Sequence, residues 1–245
     1  MEPESKPHGI INLDKPAGVS SARMVGRVKR LLVRGTKIGH AGTLDPFATG
    51  VLLLLVGKST KLCEQLMDAP KQYEAAIKLG ATTATDDLDS PEQPFGDGLL
   101  VPSSEAVADA LSRFVGEILQ RPPAFSALKV GGRRAYDLAR KGQAVQLTPR
   151  RVKVYGAELL EYQWPLARVR IDCGRGTYIR AIARDVGVAL GVGGYLTELR
   201  RTRVGPFDVA RAVCVESLTA DTIAGQLQLT TSFNPLTLPS HSTGA

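Results

Sequence analysis

The sequence predicts an α+β fold, and three observations predict it. Tyr73, Ala75, Ile77 and Leu79 alternate with Gln72, Glu74 and Lys78, and Val169, Ile171 and Cys173 alternate with Arg168, Arg170 and Asp172. That period of two is the pattern of half-buried strands. Val51 to Val56 is an unbroken run of six aliphatics, which reads as a strand buried on both faces. Helical spacing interleaves with these strands: Ile179, Ile182, Ala183, Val186 and Leu190 line one face of a helix opened by Thr177-Tyr178. Val107, Leu111, Phe114, Val115 and Ile118 make a second apolar stripe and predict a core-facing helix over 103–118.

A chain of 245 residues can bury a sizeable core. Its 43% hydrophobic and 22% charged residues are ordinary for a globular protein. Cys63, Cys173 and Cys214 show no paired spacing, which argues against a disulfide framework or a zinc site and for a reducing compartment. Residues 1–7 are polar, unlike a secretory signal, and the apolar run at 51–56 is too short to cross a bilayer. The expectation is a cytoplasmic, monomeric protein without a membrane segment.

In order, residues 9–18 read as a strand ending in a Pro/Gly turn, and Ser20 or Ser21 as the N-cap of a helix reaching about Leu32. Val25, Val28, Leu31 and Leu32 would face the core. The other face carries Arg23, Arg27, Lys29 and Arg30, either on phosphate or in water. Gly57-Lys58-Ser59-Thr60-Lys61 resembles a phosphate loop only in part, because Leu52 stands where the pattern needs glycine. A helix of about ten residues precedes the strand at 71–80. Residues 81–101 are a long polar stretch, and that length suggests mobility or binding. Strands follow from Arg150, at 168–173 and at 196–207. Arg180 and Arg184 lie one turn apart on a face away from the apolar stripe, free for function. A helix is expected near 215–227, with a frayed end after it.

The chemistry concentrates in Gly39-His40-Ala41-Gly42-Thr43-Leu44-Asp45-Pro46-Phe47-Ala48-Thr49-Gly50. Its glycines and proline shape a tight loop. Asp45 is the acid within it and His40 the imidazole. On residues alone, Asp45 either starts a turn or is a reactive carboxylate held by a buried strand.

Charge adds a second signal beyond the net +7. From Arg121 to Lys153 there are nine basic residues against the single acid Asp137, whereas 81–120 holds eight acids against Arg113. A basic segment with Phe125 and Tyr136 among prolines and glycines fits an insert that grips RNA, through stacking and phosphate contacts.

The twelve-residue string matches every defined position of G-H-x-G-x-L-D-P-x-A-x-G and resembles the catalytic motif of TruB-type pseudouridine synthases. Asn12-Leu13-Asp14-Lys15-Pro16-x-Gly18-x-Ser20-Ser21, Lys71-x-Tyr73, Gln120-x-Pro122-Pro123-x-Phe125-Ser126-Ala127-x-Lys129, Cys173-x-x-Gly176-Thr177-Tyr178-Ile179-Arg180 and Leu199-x-Arg201 through Gly205-Pro206-Phe207 resemble further family motifs, in the same order. The likeness covers roughly residues 9 to 207.

That resemblance implies a pseudouridine synthase fold with a mixed, mainly antiparallel sheet flanked by helices. It implies isomerisation of one uridine in the T-loop of tRNA, position 55 in tRNA numbering, without cofactor or metal. Asp45 would be the catalytic carboxylate, paired with Arg180, and the opening motif a structural support for its loop. Tyr73 would stack on the flipped base, Tyr178 and Leu199 would line its pocket, and His40 would fill the vacated stack. Lys61 would lie near the RNA cleft, and Lys129, Arg133, Arg134, Arg140 and Lys141 in the insert would hold the T-arm. The expected organisation is a catalytic domain over 1–214, with its insert at about 121–151, and a short tail at 215–245. Bacterial relatives often carry a PUA domain at that end, but no Lys or Arg follows Arg211 here, and the last thirty-four residues are too few and too neutral for one.

A non-catalytic RNA-binding module would explain the basic insert and the aromatics equally well. It gains nothing from Asp45, Tyr73 and Arg180 together, since a carboxylate beside phosphates only repels them.

Overall fold

The computed structural model describes residues 7–96, 98–126, 129–130, 133–134 and 147–228. Strand β1 (Gly9–Lys15) leads into helix α1 (Ser21–Lys29), capped by Ser20, whose hydroxyl accepts from the Arg23 N–H at 3.2 Å. Met24 and Val28 are the buried apolar side chains of α1, while Val25, Leu31 and Leu32 are half-buried. Next come β2 (Ile38–His40), β3 (Thr49–Val56), a 3-10 turn at Gly57–Leu62 and α2 (Cys63–Asp68). After these, β4 (Lys71–Leu79) precedes a small hairpin of β5 (Ala81–Thr83) and β6 (Glu92–Pro94), then α3 (Ser104–Ser112) and β7 (Gly116–Gln120). A short ladder pairs β8 (Lys129–Val130) with β9 (Arg133–Arg134). The long β10 (Arg150–Gln163) and β11 (Leu166–Cys173) are followed by α4 (Ile179–Ala189), β12 (Gly194–Val204), β13 (Phe207–Asp208) and β14 (Val213–Cys214).

The chain forms two compact units, residues 1–73 with 200–245 and residues 74–199. In the first, β1 runs antiparallel to β3 from Gly9↔Val56 to Lys15↔Gly50, and β2 pairs antiparallel with residues 54–56 of β3. The last residues of β12 lie parallel to β3, with Arg200↔Thr49 and Arg201↔Gly50, and β14 lies parallel to β1. All six aliphatics of 51–56 are buried, as their unbroken run predicts. Burying each leucine contributes about 2 kcal/mol relative to exposure. Ile10, Val51, Leu53, Leu55, Leu66, Val204 and Phe207 form one cluster under this sheet.

In the second unit, β10 pairs antiparallel with β11 and with β7, and β4 lies between β11 and β12. Helix α4 buries Ile179, Ile182, Ala183 and Val186, the stripe its spacing predicts. The α+β class with a mixed, mainly antiparallel sheet is therefore observed.

Three expectations are corrected. The helix over 103–118 stops at Ser112, and Gly116 starts β7 with φ +108°, so Val115 and Ile118 belong to no helical stripe. Residues 81–101 are no plain loop: the β5–β6 hairpin encloses Thr83, Thr85, Asp86 and Asp87, all buried. The tail is not a helix over 215–227 but two 3-10 turns, Val215–Ser217 and Ile223–Gln226, after which Gln228 bridges back to Ile10.

Candidate active site

Asp45 sits half-buried in a turn closed by the Ala48 N–H, which donates to the Asp45 carbonyl at 3.1 Å. Pro46 occupies the second turn position, where its fixed φ favours the bend. The turn is anchored on three sides by the opening motif. Gly18 N–H donates to the Pro46 carbonyl at 2.8 Å. Lys15 Nζ donates to the same carbonyl at 3.1 Å and to the Pro16 and Val19 carbonyls at 2.8 Å each. Ser21 Oγ accepts from Leu44 N–H at 2.9 Å and donates to the Leu44 carbonyl at 3.1 Å. These bonds explain why a string distant in sequence supports the loop, and they fix the backbone on both sides of Asp45.

Two buried cations accompany the loop. Lys15 and Arg201 are 0% and 1% exposed. Arg201 Nε donates to the Val51 carbonyl at 2.7 Å and Nη2 to the Gly42 carbonyl at 3.1 Å. Burial pushes the Lys15 ammonium down to about 8, against the attraction of Asp45 and with the repulsion of Arg201. His40 is held below its usual range, first by burial and then by Arg201. It is therefore neutral at pH 7, and its Nδ1 is buried with no hydrogen-bond partner among the described residues. The loop thus offers a carboxylate on a fixed backbone, within electrostatic reach of the buried Lys15 ammonium.

Lys15 and Arg201 were missed as site residues. Lys15 lies within the string read as structural. Arg201 stands in Arg200-Arg201-Thr202-Arg203, where only the strand period from Leu199 singles it out.

Tyr73 lies in the first unit and is buried, 9% exposed. Lys61 is exposed in the Gly57–Leu62 turn. Tyr178, Arg180 and Leu199 lie in the second unit. Tyr178 precedes α4, its backbone gripped by the Gln120 amide through bonds of 2.8 and 3.1 Å, with the Arg150 guanidinium 5.1 Å over its ring. Leu199 is buried in β12.

Arg180 and Arg184, on a face away from the apolar stripe, are each held by an acid of the stretch after β5. Arg180 donates to Asp87 and to the Thr85 carbonyl at 3.0 Å each, both buried, and to the Phe125 carbonyl at 2.9 Å, part-buried. Arg184 pairs with Asp86 at 2.9 Å and with Asp185 at 2.8 Å. Burial pushes the Asp86 carboxyl upward against the pull of Arg184. Asp86 and Asp87 therefore serve the arginines of α4.

Lys129, Arg133 and Arg134 belong to the β8–β9 ladder, whereas Arg140 and Lys141 lie outside the described residues. Among the described residues, no group of three His, Cys, Asp or Glu side chains is arranged to hold a metal ion. No helix of the described residues is long and apolar enough to cross a membrane.

Comparison with known proteins gives these elements a family. Residues 29–179 match the model of the TruB family pseudouridylate synthase N-terminal domain, and residues 180–238 match that of the tRNA pseudouridylate synthase B C-terminal domain. The tRNA pseudouridine synthase B of Anaplasma phagocytophilum (strain HZ) is 44% identical over 233 residues, 94% of this chain and 76% of the relative. That of Mycobacterium sp. (strain KMS) is 49% identical over 217 residues, 86% of this chain and 71% of the relative. Among solved structures, a chain of a Cbf5-Nop10-Gar1 complex superposes with a TM-score of 0.66 at 35% identity over 88% of this chain. This chain spans 54% of that one.

Proposed function

Since the chain belongs to the TruB family of pseudouridylate synthases, we propose that it isomerises a uridine of tRNA. The target in this reading is position 55 of the T-loop, and Asp45 is the catalytic carboxylate. The observation that carries the proposal is the setting of Asp45, a half-buried acid whose turn is held by Lys15, Gly18 and Ser21. Such preorganisation is what a reaction at a single sugar carbon requires.

In the proposed reaction the N1–C1′ bond breaks, the uracil turns, and C5 joins C1′, while the C5 proton leaves to restore the aromatic base. Asp45 acts at the ribose, either on C1′ or on a ribose proton. An aspartate of ordinary pKa, about 3.9, is already ionised at neutral pH, so its surroundings serve orientation more than activation. The target base must leave the T-loop stack, at a cost of a few kcal/mol. His40 takes the vacated place; its neutral form suits stacking among bases. Tyr73, Tyr178, Arg180 and Leu199 serve the flipped nucleotide, and Lys61 with the basic insert holds the RNA backbone.

Asp45→Asn tests the assignment on an unmodified tRNA transcript, with pseudouridine mapped by position. The expected outcome is loss of modification at the T-loop with RNA binding retained. Modification by the variant, or by the wild type at another position only, overturns it.

A further inference from the structure

Helix α1 carries a basic face that the site described above does not use. Arg23, Arg27 and Arg30 follow one another at intervals of four and three residues, so they share one side of the helix and its C-cap over a rise of about 10 Å. With Val19 and Met24 they line an open groove of about 340 Å³. Arg23 and Arg30 are exposed, and no ion pair engages either among the described residues. Arg27 is held by Glu216 at 3.1 Å, both side chains being well exposed at 43% and 59%.

Local stability does not explain this face. Arg23 sits in the first turn of α1, where the helix dipole disfavours a cation, and that turn holds no acid. Three arginines on one side also repel one another. The helix is moreover tied to the catalytic loop, because its first residue, Ser21, holds Leu44 beside Asp45. The arginine series therefore starts in the same helical turn as the residue that holds the catalytic loop. Guanidinium forks suit phosphate oxygens, and the apolar floor of the groove suits sugar and arginine stems.

We infer that Arg23, Arg27 and Arg30 bind successive phosphates of the substrate RNA flanking the reacting uridine, and that Glu216 holds Arg27 until a phosphate displaces it. The inference rests on the reading that RNA is the substrate. Binding of a T-arm stem-loop RNA to the Asp45→Asn protein, measured across a salt series, tests it. The triple variant R23A/R27A/R30A should weaken binding roughly 10-fold at ~0.1 M salt and reduce the slope of log affinity against log salt by about 2–3. R23K/R27K/R30K keeps the charge and should restore most of that slope. Glu216→Gln should tighten binding severalfold by freeing Arg27. A wild-type slope in the alanine variant overturns the phosphate face, as does a lysine variant as weak as the alanine one. Unchanged affinity in Glu216→Gln overturns the displacement of Glu216. Pseudouridine formation by the wild-type protein on the same RNA is scored in parallel. Binding without modification would refute the proposed reaction, while the salt slopes still decide the arginine face.

Discussion

Arg180 Nη1 and Asp87 Oδ2 lie 3.0 Å apart, in side chains only 4% and 3% exposed. The same guanidinium also donates to the Thr85 and Phe125 carbonyls, so α4 is tied to the polar stretch after β5 and to the start of the insert segment. A buried pair of this kind returns little net stability compared with apolar packing, but losing one partner strands the other. Asp87→Ala should therefore lower the unfolding free energy by about 3–5 kcal/mol. Urea titration reads this as a fall in midpoint at constant slope. A loss below about 1 kcal/mol would mean that the remaining interactions of the guanidinium, the two carbonyl bonds among them, satisfy it.

That pair also marks the limit of what the sequence reveals. Strands β3, β4 and β11 and the helix of Arg180 are legible because each is a regular pattern within about ten residues. Asp87 is not, because an aspartate in a polar stretch looks solvent-bound until a partner 93 positions away is placed against it. The overlong helix at 103–118 has a different cause. Val115 and Ile118 keep helical spacing by coincidence, while the helix ends at Ser112 and Gly116 opens β7. In the catalytic loop the motif identifies Asp45, whereas the buried charges of Lys15 and Arg201 emerge only from the packing of three strands. The arrangement of the tail is equally illegible, since β14 is two residues long and is held by its ladder with β1.

Two glycines of the catalytic string, Gly39 within β2 and Gly50 within β3, should respond differently to a methyl group. Gly50 has φ +99°, and a Cβ there would lie 2.2 Å from the Arg201 carbonyl oxygen. That contact is the parallel pairing of β3 with β12, so the strands must separate to admit it. A Cβ at Gly39 meets nothing within 4 Å. Gly50→Ala should abolish activity and lower stability by more than about 3 kcal/mol, combining strain and overpacking. Gly39→Ala should fold with near wild-type stability. Thermal melts of both variants decide, and similar behaviour of the two would refute the steric argument.

Lys15 should leave a signature in the pH dependence of stability. In the unfolded chain its ammonium keeps the proton up to about 10.5, whereas in the folded protein it releases it near 8. Between these values the unfolded state binds more protons, so this group makes stability rise with pH in that window. Below pH 8 the full cost of burying the ammonium is present. The interval corresponds to roughly 3 kcal/mol. Wild type minus Lys15→Met, measured by denaturant unfolding from pH 7 to 10.5, should climb by that order above pH 8. A flat difference would show that the three carbonyls hold the ammonium at its ordinary affinity for the proton.

Ser21 and Ser20 offer the sharpest separation of loop positioning from helix capping. Ser20 is exposed by its position at the start of α1, and its hydroxyl serves one backbone N–H. Ser21 is 2% exposed, and its hydroxyl both accepts from and donates to Leu44, the residue before Asp45. Ser20→Ala should cost about 1 kcal/mol of stability as a lost cap and leave the turnover of bound RNA as it is. Ser21→Ala strands a buried N–H and a buried carbonyl, costing about 1–3 kcal/mol, and frees the segment that aims the carboxylate. Because a misplacement of about 1 Å can cost 100-fold in rate, single-turnover pseudouridine formation should fall about 10- to 100-fold in Ser21→Ala, with RNA affinity close to wild type. Equal rates in the two variants would show that the turn around Asp45 keeps its geometry without the hydroxyl, and that the bonds from Gly18 and Lys15 to Pro46 suffice.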